Sequence, residues 1–171
     1  MTEKEVGGGL SHVASDGTAR MVDVSAKPDT SRRATATGSI RMSREAYDAV
    51  RANSVRKGDV LGVARVAGIM AAKRTSDLIP LCHPLPLHDV GVSFANDPAL
   101  PGFRVEAVAR TVGKTGVEME ALTAATVALL TVYDMAKSLD RAMVISDISL
   151  AHKVGGEGGE YTRLDGTTIA P

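Results

Sequence analysis

Four stretches of the chain carry the pattern of half-buried β-strands. They run from Ala34 to Met42, from Leu87 to Ala95, from Phe103 to Val112 and from Met143 to Leu150. The third shows the alternation most clearly, because apolar residues there take every second position between charged ones. The turn residues Asn96, Asp97 and Pro98, followed by Pro101 and Gly102, separate the second and third stretches and predict a hairpin.

Three segments have the periodicity of helices. Ser43 opens one that runs from Arg44 to Ala52, and Asp59 is a suitable N-cap for another that runs from Val60 to Ala72. The longest runs from Thr115 to about Leu139, and Thr115 and Glu118 have the spacing of a capping box at its start.

The resulting order, β-α-β-β-α-β, predicts an α+β fold. It is the plan of the ferredoxin-like split βαβ sandwich, an antiparallel sheet with helices on one face. We expect another copy of the chain to cover the open face of this sheet. We also expect a disordered tail over residues 1–19, a single catalytic domain over 20–156 and a flexible tail over 157–171.

Composition narrows the function classes. Lys and Arg number 20 and Asp and Glu also number 20, and this neutral balance disfavours a general nucleic-acid binder. Aromatic residues make up only 3%, so a base-stacking platform is disfavoured too. Cys82 is the single cysteine, and the sequence shows neither a secretory leader nor an apolar run of membrane-spanning length. We expect a soluble cytoplasmic protein.

A proline-rich segment around Cys82 and His83 is the first candidate for chemistry. Its sequence is DLIPLCHPLPL, and prolines on both sides fix an extended backbone that would aim the imidazole. Spacing alone leaves the alternative of a connector with a buried thiol and a structural histidine.

Phosphate binding is suggested by the residues before the longest helix. Gly113, Lys114 and Thr115 resemble part of a phosphate loop, but Val108 stands where the full motif needs glycine. What remains is a helix N-terminus whose free N–H groups could receive an anion. Cations scattered near loops would form a local basic pocket if the fold gathers them; they are Lys27, Arg32, Arg33, Lys57, Lys73, Arg74 and Lys153.

An acid-base pair is predicted near the end of the same helix, where Asp134 and Lys137 share a face. The alternatives are a solvated surface ion pair and a couple that works in proton transfer. Glu120 lies fourteen residues before Asp134, which is about 21 Å along a straight helix. If both serve one pocket, the helix must break or two chains must share the site.

Several blocks of the sequence resemble the molybdenum cofactor biosynthesis protein C family, the cyclic pyranopterin monophosphate synthases. They are MVDVSAK from Met21, KGDV from Lys57, ARVAGI from Ala64, LIPLCHPL from Leu78, the stretch from Gly113 to Ala121 and YDMAK from Tyr133. The resemblance implies an enzyme that converts 3′,8-cyclo-7,8-dihydroguanosine triphosphate to cyclic pyranopterin monophosphate and releases pyrophosphate. It implies no redox cofactor, leaves open Mg²⁺ bound to the triphosphate, and implies a hexamer, a trimer of dimers with sites between chains.

The resemblance also implies a set of site residues. Asp134 falls on the active-site acid, and Lys57 and Lys137 fall on essential lysines. The substrate-binding positions are Leu81, Cys82, His83, Glu118, Met119 and Glu120, with Arg32, Lys73 and Lys153 as phosphate contacts and no metal ligand. The alternative functions are a non-catalytic nucleotide- or phosphate-binding paralogue and a purely structural oligomer.

One departure from the family pattern concerns the glycine-rich segment GGEGG from Gly155. The family usually has a lysine there in the pattern GGKSG, and this chain has Glu157. Because an acid repels phosphate, we expect Glu157 to lie outside the site.

Overall fold

The computed structural model describes residues 17–163, which form a five-stranded antiparallel sheet in the order β2-β3-β1-β4-β5. The strands are β1 (Thr30–Arg41), β2 (Asp89–Asp97), β3 (Gly102–Gly113), β4 (Val144–Val154) and β5 (Tyr161–Thr162). The helices are α1 (Arg44–Arg51), α2 (Val60–Ala72), α3 (Thr75–Leu78) and α4 (Glu118–Ala136). The first four strands and the helices confirm the predicted ferredoxin-like α+β plan.

All four predicted strands are present, and two of them extend four residues beyond one predicted end. β1 begins four residues earlier, at Thr30, which pairs with Gly113 at the end of β3. β4 ends four residues later, at Val154, which pairs with Arg33 of β1. The extensions therefore come from pairing between strands, which the alternation within one strand does not show.

The N-termini of α1 and α2 are capped as predicted. The Ser43 hydroxyl accepts a hydrogen bond from the Ala46 amide at 3.2 Å, and the Asp59 carboxylate accepts one from the Gly62 amide at 2.9 Å. Each cap satisfies an amide at the end of its helix that has no partner within the helix.

The capping box predicted for the longest helix is wrong. α4 begins at Glu118 rather than near Thr115, and no side chain caps it. Glu118 is thus the first residue of the helix instead of the third, too early to reach back to a cap amide, and its carboxylate faces Lys153 instead. α4 also ends earlier than predicted, at Ala136 instead of Leu139, and Lys137 forms its C-cap.

The hydrophobic core lies between the helices and one face of the sheet. In β3 the buried residues Phe103, Val105, Ala107 and Ala109 alternate with more exposed ones. Helices α2 and α4 approach closely at Gly68, where an added Cβ would lie 2.8 Å from the carbonyl oxygen of Ala124. A side chain there would therefore force the two helices apart.

The opposite face of the sheet carries polar side chains. Thr35, Thr37 and Ser39 of β1 point away from the core, beside Arg104 and Glu106 of β3. Helix α2, by contrast, has large exposed apolar side chains, those of Val63, Val66 and Met70. Helix α4 is long and apolar enough to cross a membrane by length and composition, but half of it is buried inside the domain as a core helix.

The predicted domain limits fall partly outside the described residues. Residues 1–16 and 164–171, which belong to the two predicted tails, lie outside them. Within the described part, the boundary at residue 156 separates β4 from β5, and β5 pairs with β4 through Tyr161 and Lys153.

Candidate active site

One cavity of about 370 Å³ collects most of the residues that we predicted to bind substrate. Its wall comes from the start of β1, the segment after α3, the N-terminus of α4 and the end of β4. The predicted residues that line it are Arg32, Leu81, Cys82, His83, Glu118, Met119, Glu120 and Lys153. This chain therefore builds one continuous surface from segments that are far apart in sequence.

The cations of the cavity already have partners. Lys27 contacts Glu157 at 2.8 Å, and Lys153 contacts Glu118 at 3.4 Å. The Arg32 guanidinium donates to the carbonyls of Gly113 and Lys114 from its Nε and Nη2 atoms. These carbonyls fix the Arg32 side chain without neutralising it, so its positive charge remains available to an anion.

Backbone contacts hold His83 and the chain before β1 in place. The His83 Nε2–H donates to the carbonyl oxygen of Val22 at 2.8 Å, and Lys114 Nζ donates to the carbonyl oxygen of Ser25. His83 thus joins the proline-rich segment to the residues that lead into β1. The second ring nitrogen of His83 is the one left to face a ligand.

Cys82 lies partly buried in the cavity wall. Burial raises the pKa of its thiol, and the charge of Glu120 raises it further. A thiol with a raised pKa is a poor nucleophile at neutral pH, because the thiolate is the reactive form. Cys82 is therefore suited to shaping the cavity.

Glu120 is the most deeply buried acid in the cavity wall. Burial raises the pKa of its carboxyl group, and the nearby charge of Glu118 adds to the increase. The ionised form is therefore less favourable in the folded than in the unfolded chain, so the contribution of Glu120 to stability is fully present below the ordinary glutamate pKa and is lost as pH rises through its folded-state pKa.

Glu120→Gln should accordingly raise the melting temperature at pH 8 by a few degrees, with a gain that disappears as the pH falls below the ordinary glutamate range. Scanning calorimetry across this pH range measures the difference. Glu118→Gln is the matched control, because Glu118 is only half-buried and has Lys153 as a partner. A gain that grew toward low pH would contradict this assignment of the Glu120 charge.

A second group of predicted residues lies at the other end of α4. Lys57 Nζ contacts Asp134 Oδ2 at 3.0 Å, and Lys137 Nζ contacts Asp134 Oδ1 at 2.6 Å. Lys57 also donates to the backbone carbonyl of Asp134 at 2.8 Å, at the helix end that favours cations. We call Lys57, Asp134 and Lys137 the Lys–Asp–Lys cluster.

Electrostatics keep the centre of this cluster ionised. Hydrogen bonds from Lys137 and Lys57 lower the pKa of Asp134, and the charges of both lysines lower it further. An ionised Asp134 between two ammonium groups holds both side chains in place. All three side chains are about half-exposed, so they remain accessible to a ligand from outside this chain.

The two groups do not meet within one chain. Helix α4 is continuous from Glu118 to Ala136, so Glu120 and Asp134 are separated by about 21 Å along its axis. The helix does not break, which excludes the first of the two arrangements that the spacing allowed. Any pocket that uses both groups has to draw them from two chains.

Lys73 joins neither group. It forms the C-cap of α2 with an exposed side chain and does not line the cavity.

Three charged residues of the cavity were missed as site residues. Lys27, Lys114 and Glu157 line it, although charge alone had led us to place Glu157 outside the site. Lys27 was visible as a cation near a loop, but only the fold brings it beside β4. Among residues 17–163, no group of three or more His, Cys, Asp or Glu side chains is arranged to hold a metal ion.

Comparison with known proteins gives a consistent result over most of the chain. The model of the MoaC family matches residues 21–156. Proteins named cyclic pyranopterin monophosphate synthase are similar over most of their own length. Those of Cereibacter sphaeroides and Heliobacterium modesticaldum are each 56% identical over 90% of this chain, covering 96% and 97% of the relatives. The Brucella ovis protein is 54% identical over 92% of this chain and 96% of its own length.

Proposed function

This chain belongs to the MoaC family, and we propose that it converts 3′,8-cyclo-7,8-dihydroguanosine triphosphate to cyclic pyranopterin monophosphate, with release of pyrophosphate, in molybdenum cofactor biosynthesis. The family match over residues 21–156 carries the proposal, because it spans both the cavity and the Lys–Asp–Lys cluster. We assign the reaction to the lyases.

The cavity suits the phosphate half of this reaction. Closing the cyclic phosphate forms a bond from a sugar hydroxyl oxygen to the α-phosphorus and breaks the bond from that phosphorus to the bridging oxygen of the leaving pyrophosphate. Negative charge develops on that oxygen, and nearby cations lower the barrier. Lys27, Arg32 and Lys153 line one cavity and supply this charge.

The Lys–Asp–Lys cluster suits the rearrangement of the purine ring. Opening and closing that ring moves protons between nitrogen, carbon and oxygen atoms, which needs groups that give and take protons. In our proposal Asp134 holds Lys57 and Lys137 in place, and the lysines carry the protons. A protein that only bound a nucleotide would have no need of two lysines held on one carboxylate.

We further propose a homo-oligomer, a cytoplasmic hexamer built as a trimer of dimers. In it the cavity of one chain faces the Lys–Asp–Lys cluster of another. The separation of the two groups along the unbroken α4 supports this arrangement, since neither chain alone brings both to one small substrate.

Lys137→Ala tests the proposal against a purely structural role for the cluster. Turnover should fall by about 10²-fold or more, because a proton-transfer group is lost. The melting temperature should fall by less than about 4 °C, because a half-exposed ion pair contributes only about 0.2–1 kcal/mol.

The measurement is pyrophosphate release from the cyclised nucleotide, compared with thermal melting of the same samples. Arg141→Ala, which removes another exposed cation shortly after α4, is the control and should keep its turnover. A large loss of melting temperature with little loss of turnover would show that the ion pair is structural.

A further inference from the structure

Glu157 lies where an anionic ligand would be expected. It lines the cavity, and its Oε2 atom contacts Lys27 Nζ at 2.8 Å. The hydrogen bond from Lys27 lowers the pKa of its carboxyl group, and the charges of Lys27 and then Arg32 lower it further, so Glu157 is ionised at neutral pH. A carboxylate therefore stands among the same cations that a phosphate would use.

The backbone around Glu157 is shaped to bring it there. Gly155 and Gly156 both have positive φ angles, of 103° and 76°. A Cβ on Gly156 would lie 1.6 Å from Nη1 of Arg32, and one on Gly158 would lie 3.0 Å from Nζ of Lys153. The positive φ angles favour glycine at Gly155 and Gly156, and the segment passes close to both cations with Glu157 in the cavity wall.

The contact between Lys27 and Glu157 joins two sides of the cavity wall. Lys27 lies just before β1 and Glu157 just after β4, 130 residues apart in sequence. The pair is exposed to water, with 38% of the Lys27 side chain and 76% of the Glu157 side chain accessible. Exposed ion pairs are weak, so a ligand with several negative charges can exchange with this carboxylate.

We propose that Glu157 is an internal competitor for the anionic ligand of the cavity. Its carboxylate occupies Lys27 in the empty protein, and a phosphate group of the ligand displaces it on binding. The identity of that phosphate as part of a nucleotide triphosphate rests on the proposed function, whereas the competition rests on the contacts of Glu157 alone. Glu157 thereby sets how tightly the cavity holds its anion.

The test measures binding of inorganic pyrophosphate by isothermal titration calorimetry to the full chain. Glu157→Gln should bind pyrophosphate about threefold to tenfold more tightly than wild type, because Lys27 is freed and one repulsive charge is lost. Glu160→Gln is the matched control. It removes the same charge three residues away, from a carboxylate that contacts His152 and does not line the cavity, and it should leave the affinity unchanged.

A second background separates competition for Lys27 from general repulsion. In Lys27→Gln the cation is already absent. Adding Glu157→Gln to this variant should therefore increase the affinity for pyrophosphate much less than it does in wild type. The proposal is overturned if Glu157→Gln binds no more tightly than wild type, if its gain persists without Lys27, or if neither protein binds pyrophosphate. Melting temperatures close to wild type show that each variant is folded.

Turnover of the cyclised nucleotide by wild type separates this proposal from the proposed function. Pyrophosphate binding that responds to Glu157 in a protein without turnover would refute the function and support the competition. Turnover in a protein whose pyrophosphate affinity is unchanged by Glu157→Gln would support the function and refute the competition.

Discussion

Replacing Lys57 with alanine should lower kcat/KM for the cyclised nucleotide by about 10³-fold, within the range expected for loss of a proton-transfer group. Lys57 donates to both the carboxylate and the backbone carbonyl of Asp134, so no other side chain of the cluster can take its position. The side chain is about half-exposed, and its removal should leave the fold intact. Steady-state pyrophosphate release measures the loss, and circular dichroism verifies folding.

Asp134→Asn extends this test to the centre of the cluster. Asparagine keeps the shape of the side chain but loses the charge that holds Lys57 and Lys137 together, and we expect turnover to fall by about 10²-fold or more. Asp48→Asn is a matched control, because Asp48 is also an accessible carboxylate between two cations, Arg44 and Arg51. Undiminished turnover in Lys57→Ala or Asp134→Asn would refute the catalytic role of the cluster.

The second large effect concerns two inactive variants that should restore activity to each other. Lys57→Ala damages the cluster and leaves the cavity intact, whereas Arg32→Ala damages the cavity and leaves the cluster intact. If each site takes its cavity from one chain and its cluster from another, random mixing in equal amounts gives about a quarter of sites with both parts intact. Mixed assemblies should then recover about a quarter of wild-type turnover.

Co-expression with two different affinity tags, followed by sequential purification, supplies the mixed assemblies for this measurement. The control is the Lys57→Ala variant co-expressed with itself under the same two tags, and it should stay inactive. Mixed assemblies of the two different variants that stay equally inactive would show that one chain supplies both parts of a site. A clean monomer in gel filtration would contradict the shared site as well.

Local signals in the sequence were sufficient for most of the fold. Ser43 and Asp59 cap their helices as predicted, because a cap depends on residues within one turn. The capping box at Thr115 had the right spacing and was wrong, because Glu118 pairs with Lys153 of a distant strand. The extra length of β1 and β4 likewise depends on partners across the sheet.

Sequence motifs identified most residues of the candidate site, but not all of the contacts between them. The helix spacing already indicated that Glu120 and Asp134 lie far apart, and because α4 is unbroken, one chain does not bring both to one small substrate. The partner of Glu157 was not predictable, because Lys27 lies 130 residues away in sequence. From its charge alone, Glu157 is expected to repel phosphate. In the fold, its carboxylate instead pairs with Lys27.

The proposed reaction can be followed directly by phosphorus-31 NMR of the wild-type protein with the cyclised triphosphate. We expect the triphosphate signals to disappear while pyrophosphate and a cyclic phosphodiester appear in equal amounts. Triphosphate signals that persist unchanged, or a product that retains its triphosphate chain, would contradict it.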